Sequence, residues 1–348
     1  MAGPLKLHNL WRVIREVDLD AVRAAARARF ELAIVADDRE DADRLHALLS
    51  GDPTTTPPHP WVTAVSSSAL EGTGAPVAAV LVARRDMLSA PLRAARDRFH
   101  DAGVPLLVVI AGDESPAAAV VRARESARVA VSELDGRAQA PVAEALASIV
   151  APDQQLALAA RLPPLRPPVF ARTIDDTARA NASFALTTGL AETIPLLTAP
   201  LNLGDIVVLT KNQLMMSYRI VLAAGRDGEP RKLMTELIGV LGGGVIFRQI
   251  ARQLVGLIPI AGLLPKIAIA YAGTYAIGRA MVAWTTEGRQ VSADMVSRYT
   301  REGLDRGRAL AAHLSEEASA TRPGTTGRWA RLRRYLPRRA GRSTEVVR

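Results

Sequence analysis

The sequence predicts an α/β sheet followed by an all-α, glycine-rich helical region, and three observations carry that prediction. Between residues 31 and 132 five short, near-continuous apolar runs recur, separated by polar stretches of helical periodicity. Strands of that kind belong to a mostly parallel, doubly wound sheet buried on both faces. A proline cluster, Arg161 to Pro168 (RLPPLRPP), then interrupts every periodic pattern. Beyond it the apolar spacing is helical and is punctuated by Gly204, Gly225, Gly228 and Pro265.

Each element follows from local residues. Within residues 1–29, Leu10, Trp11, Ile14 and Val17 recur at helical spacing, and Asp18 or Asp20 offers an N-cap for a second helix through AVRAAARARF. The strands are ELAIVA (31–36), WVTAV (61–65), VAAVLVA (77–83), PLLVVIA (105–111) and ARVAVS (127–132). Helices fall near 41–49, 90–100, 116–125 and 142–149, so the α/β unit spans 30–150. The prolines make 151–170 a stiff, extended linker, since proline cannot continue a helix. Helical patterns over 171–199, 205–224, 231–257, 267–286 and 291–319 then build a unit spanning 171–320. The tail, 321–348, is low in complexity, arginine-rich and expected to be disordered in isolation.

Composition narrows the function classes. The formal charge of +9 suggests nucleic acid until it is located: residues 322–348 carry nine arginines against Glu345, which is +8 of the +9. The body is therefore nearly neutral. No cysteine is present, which removes thiolate chemistry and cysteine zinc sites. The five histidines (8, 46, 59, 100, 313) are scattered with no metal-ligand spacing, so no metal is expected. The N-terminus, broken by Lys6, Arg12 and Arg15, lacks the apolar core of an export signal.

A strand-then-helix opening such as ELAIVADDREDADRLHALLSGD is where a nucleotide-binding sheet places its glycine loop, because backbone N–H groups approach phosphate only where side chains are absent. No glycine occurs between Ile34 and Ser50, and no Gly-Lys-Ser/Thr follows. Asp37, Asp38, Glu40 and Asp41 instead place negative charge where phosphate would sit. The lone Gly72-Thr73-Gly74 opens no helix, and Gly239 with Gly242-Gly243-Gly244 lies inside an apolar helical stretch, where close packing or a kink explains it. Neither a catalytic residue nor a cofactor is expected.

Three other features stand out. Asp205, Asn212 and Arg219 are spaced by seven, so they share one helix face with Gln213 adjacent. That stripe is either a wet face or a polar network inside a bundle or membrane, with Asp205 as partner for Arg219. Ala268, Ala272, Ala276 and Ala280, with Gly273 alongside, form a small-residue ridge that admits a second helix closely. In the tail, Trp329, Leu332 and Leu336 fall on one side of a helix whose remainder is Arg328, Arg331, Arg333 and Arg334. That composition suits an anionic membrane surface, with an RNA-binding arm or a solvated tail as alternatives.

The runs PLNLGDIVVLTKNQLMMSYRI, RQLVGLIPIAG and YAGTYAIGRA resemble the YcjF-like domain of unknown function, a helical, membrane-associated module often attached to or encoded beside bacterial Era/dynamin-like GTPases. The matching positions are Asp205, Gln213, Met216, Tyr218, Arg219, Gly225, Pro259, Gly262, Thr274, Tyr275, Ala276 and Gly278. The preceding unit resembles a degenerate GTPase domain of the P-loop type, in which only Asp113 and Ser132 match nucleotide motifs while the P-loop and the Asn-Lys pair are absent.

The resemblance implies a non-catalytic, membrane-associated interaction or scaffold protein with a protein partner such as a GTPase, at the inner face of the cytoplasmic membrane through residues 171–286. A nucleotide switch with a rebuilt site, or a nucleic-acid-associated protein acting through the tail, are the alternatives. Within 267–286 the internal charge is Arg279, which costs roughly 2.5–3.5 kcal/mol at a helix centre while each Ile or Val returns about 0.3–0.6. That helix is therefore expected to enter a membrane only as part of a packed unit or a re-entrant hairpin.

Overall fold

A computed structural model describes residues 18–51, 59–69, 75–84, 86–115, 117–191, 203–229, 232–233, 235–236, 263–288 and 291–320. The first helix, the glycine run at 239–244 and the tail fall outside them. After α1 (Leu19–Arg27), capped by Asp18 accepting from Ala21 N–H at 2.8 Å, the chain runs β1 (Leu32–Ala36), α2 (Arg39–Ser50), β2 (Val62–Ser66), β3 (Ala78–Ala83), α3 (Ala90–Asp101), β4 (Leu106–Ala111), β5 (Ala127–Val131) and α4 (Gly136–Ile149). Strands and helices alternate except that, among the described residues, no α-helix separates β2 from β3 or β4 from β5. The five strands form one parallel sheet in the order β2-β1-β3-β4-β5, registered by pairs such as Ile34↔Val80 and Val80↔Leu107.

Burial explains the apolar runs. Every residue of β1, β3 and β4 is buried, so both faces are covered. On one face Ile34, Val80, Val82, Leu107 and Val109 meet Leu45 and Leu49 of α2 and Val142 and Leu146 of α4. On the other, Val35, Leu81, Val108 and Ile110 meet Leu92, Ala95 and Phe99 of α3.

Two segments differ from the sequence prediction. Residues 117–125 form turns rather than a helix, with Arg124 at φ 67°. Charge fixes this path: Arg122 pairs with Asp86, its N–H donates to Glu125 at 2.9 Å, and Glu125 takes two bonds from Arg128. The second is the proline segment. Instead of an extended linker it folds as α5 (Pro152–Arg161), a 3-10 turn (Pro163–Leu165) and the start of α6 (Arg166–Ala191). Its prolines occupy first turns, where a missing N–H removes no intrahelical bond. Leu156, Leu158, Leu162, Leu165, Val169 and Phe170 are buried, so the stretch joins the sheet's core to that of the bundle.

The bundle contains α6, α7 (Leu203–Ala223), α8 (Leu263–Glu287) and α9 (Ala293–Ala320). Helix α6 runs antiparallel to both α7 and α8, which are therefore parallel to each other, and α9 runs antiparallel to α8. Asn181 of α6 lies level with Asn212 of α7 and Thr274 of α8, while Gly278 lies on Ile174 and Gly225, just past α7, on Arg166. The alanine ridge of α8 receives α9: a Cβ on Gly303 would stand 2.9 Å from Ala272 Cα, and one on Gly307 2.8 Å from Ala268 O. The C-termini of α6 and α9 and the N-termini of α7 and α8 therefore share the end away from the sheet. Among the described residues no helix is long and apolar enough to cross a membrane. Arg279 of α8 is exposed and lies over the Tyr299 ring of α9, 5.4 Å from its centroid.

Candidate functional site

In this strand order the chain reverses direction across the sheet between β1 and β3, and a crevice at the carboxyl ends of those strands is where such sheets hold ligands. Here the chain's own side chains occupy it. Asp37 follows β1 and accepts from Ser67 Oγ at 2.9 Å and from Ser89 Oγ at 2.8 Å. Asp38 caps α2, accepting from Glu40 N–H at 2.9 Å. Asp41, its side chain 5% exposed, takes two bonds from Arg84 at the end of β3, one from Nε at 2.7 Å. A helix N-terminus favours an anion, and this one supplies its own in Asp38, Glu40 and Asp41. The mouth of the crevice carries a carboxylate–arginine–serine arrangement in which Ser67 and Ser89 bond to Asp37 and Arg84 bonds to Asp41.

At the same carboxyl end, toward the β5 edge of the sheet, Gly112 turns at φ 101° and donates to Val131 O at 2.8 Å, which brings the loops after β4 and β5 together. Asp113 accepts from Ser115 N–H at 2.8 Å, and the Ser115 backbone and hydroxyl hold its carboxyl below the usual range. Ser132 donates its N–H to Glu114 at 3.2 Å. Asp113 thus serves its own loop, and Ser132 ties the loop after β5 to the loop after β4. Among the described residues no group of three or more His, Asp or Glu side chains is arranged to hold a metal ion.

The bundle holds a second polar centre. Asn212 Nδ2 donates to Asn181 Oδ1 at 2.7 Å, and Asn181 Nδ2 donates to Thr274 Oγ1 at 2.9 Å. Thr274 Oγ1 also accepts from Gln213 Nε2 at 3.3 Å and donates to Ala270 O at 3.0 Å. Asn181 and Thr274 are fully buried, so this chain fixes α6, α7 and α8 at one level. Arg219 stands apart: it is exposed and lines a 390 Å³ cleft with Asp153 and Asp176, bounded by α1, α5, α6 and α7. Of Asp205 only the backbone, within α7, is described, and Arg328, Trp329, Arg331, Leu332, Arg333, Arg334 and Leu336 lie outside the described residues.

Replacing Asn181 by Ala is expected to lower stability by roughly 1–3 kcal/mol, because the Asn212 amide and Thr274 lose their partner inside the bundle. Urea unfolding measures it. Asn212→Ala should cost less, since Asn212 is only part-buried.

No family model, curated protein or solved structure matches the chain. Sequence reasoning passed over Asn181, whose partners lie 31 and 93 positions away. It also missed the contact between His46 and His59 and the buried pair of Arg128 with Glu125. For the last, a lone arginine inside an apolar strand with an acid three residues before it was the available signal.

Proposed function

We propose that this is a non-catalytic, membrane-associated interaction or scaffold protein, a closed sheet of GTPase type carrying a bundle of the YcjF-like kind. The arrangement of helix ends carries this reading. The described helices end or begin at Ala191, Leu203, Leu263 and Ala320 at the end of the bundle away from the sheet, and the sequence that follows Ala320 carries nine arginines. A cationic sequence joined to the bundle at that pole suits surface attachment to anionic lipid. The carboxylates at the start of α2 support the absence of nucleotide chemistry, since they repel phosphate. A protein partner, such as a GTPase, would then meet the exposed α/β part.

Liposome flotation of the full chain tests the attachment. Each tail arginine near the surface is worth on the order of 1 kcal/mol and is screened by salt. Flotation should require acidic lipid and weaken in high salt or on removing residues 328–339, whereas equal flotation on neutral lipid would overturn the electrostatic part. Labelled GTP with Mg²⁺ should not bind at micromolar concentration, and saturable binding would refute the closed crevice.

A further inference from the structure

Two histidines at the entry to β2 take no part in either centre. β2 is an outer strand, held to the sheet through β1. The chain enters it through His59 and Trp61, and ring nitrogens fasten that turn. His59 N–H donates to His46 Nε2 at 3.1 Å, and Trp61 N–H donates to His59 Nδ1 at 3.3 Å. The same turn makes the first rung of the sheet, with Leu32 N–H donating to Trp61 O at 2.9 Å and Val62 N–H to His59 O at 3.0 Å. The His59 ring stacks on Phe30 and meets Trp61 edge-on, while Arg161 at the end of α5 lies 5.2 Å from the centroid of the Trp61 ring. His46, on α2, is buried. Edge strand, α2 and α5 therefore meet at one imidazole pair.

We propose that His46 and His59 form an acid-sensitive clasp, which holds the start of β2 and the Arg161 end of α5 to the sheet near neutral pH and lets go when either ring gains a proton. An accepting ring nitrogen must be unprotonated. A proton on His46 Nε2 or His59 Nδ1 places a donor against a backbone N–H, and each bond becomes a repulsion.

The surroundings keep both rings neutral. Burial is the main cause and pushes both below the ordinary 6.5. Beside His46, Asp43 opposes the shift and Arg39 assists it, and those two pair with each other at 2.9 Å. Around His59, His46 and Arg161 add to the shift. The unfolded chain, titrating near 6.5, binds more protons than the folded one as pH falls. The stabilisation is therefore whole above 6.5 and is lost progressively as pH falls toward the lower folded values.

Amide hydrogen exchange of the full chain at pH 7.5 and pH 5.5, corrected for the intrinsic pH dependence, tests the clasp. Protection of the β2 amides of Thr63 to Val65 should fall by roughly tenfold or more relative to Val108 to Ile110 of β4, the scale of a buried donor losing its acceptor. The double variant His46→Gln, His59→Asn, whose side-chain oxygens accept without titrating, should abolish that difference. Parallel loss in both strands, or an undiminished acid response in the double variant, overturns the proposal. Should the variant not fold, NMR titration of the two imidazoles in the native chain decides instead: midpoints at or above 6.5 refute the clasp, and midpoints below it, with β2 loosening across them, sustain it.

Discussion

Replacing Arg128 by Met is expected to destabilise the protein by about 3–5 kcal/mol, the largest single-residue effect anticipated here. The Arg128 side chain is 1% exposed and the Glu125 carboxylate 0%, joined by bonds at 2.9 and 2.7 Å. Arg128 also donates to Asp86 at 3.1 Å. Without the guanidinium, Glu125 is a buried charge with no counter-ion, and the 117–125 segment loses the pin that holds its irregular path. Urea unfolding of three proteins checks the cause: native, Arg128→Met, and Arg128→Met with Glu125→Gln. The double variant should recover a large part of the loss, since the uncompensated charge is gone. A single variant within 1 kcal/mol of native would show that water reaches Glu125 and that the pair is dispensable.

Gly307→Ala should lower stability by roughly 1–3 kcal/mol even though alanine is the better helix former by about 1 kcal/mol. The reason is steric. The new methyl would stand 2.8 Å from Ala268 O and 2.9 Å from Ala268 Cα, and backbone cannot step aside as a side-chain tip can. Gly303→Ala meets Ala272 Cα at 2.9 Å and should behave alike. Gly136→Ala in the first turn of α4, where a Cβ would meet nothing within 4 Å, provides the control and should be neutral or stabilising. Stabilisation by Gly307→Ala would mean that α9 does not sit as closely on α8 as described.

The sheet was legible because its signal is local. A strand buried on both faces must be apolar almost throughout, and VAAVLVA and PLLVVIA have no other reading that fits their length. The alanine ridge of α8 was legible for the same reason, although its occupant, Gly303 and Gly307, was not. The turns at 117–125 were hidden because arginine pairs, one of them reaching Asp86 36 positions away, decide that path rather than propensity. The prolines misled because proline blocks a helix interior but suits a first turn, and only the tertiary structure says which applies. The filled crevice could be read halfway: its acids are contiguous in sequence, but Ser67, Arg84 and Ser89 arrive from two other loops. Asn181 was out of reach, since an asparagine in a polar-looking stretch gives no sign that it points inward.

The filled crevice also bears on how this chain can change. Asp37 answers Ser67 and Ser89, and Asp41 answers Arg84, so losing Asp37, Asp41 or Arg84 strands a partner. Arg84→Ala leaves the nearly buried Asp41 without its cation, and Asp41→Ala leaves Arg84 without its carboxylate; neither step alone makes the start of α2 receptive to an anion. Several charges would have to be exchanged together, each intermediate less stable than the protein it came from. Turning this crevice into one that holds phosphate is therefore uphill at its first step, and substitutions that keep these pairs are favoured over those that break them.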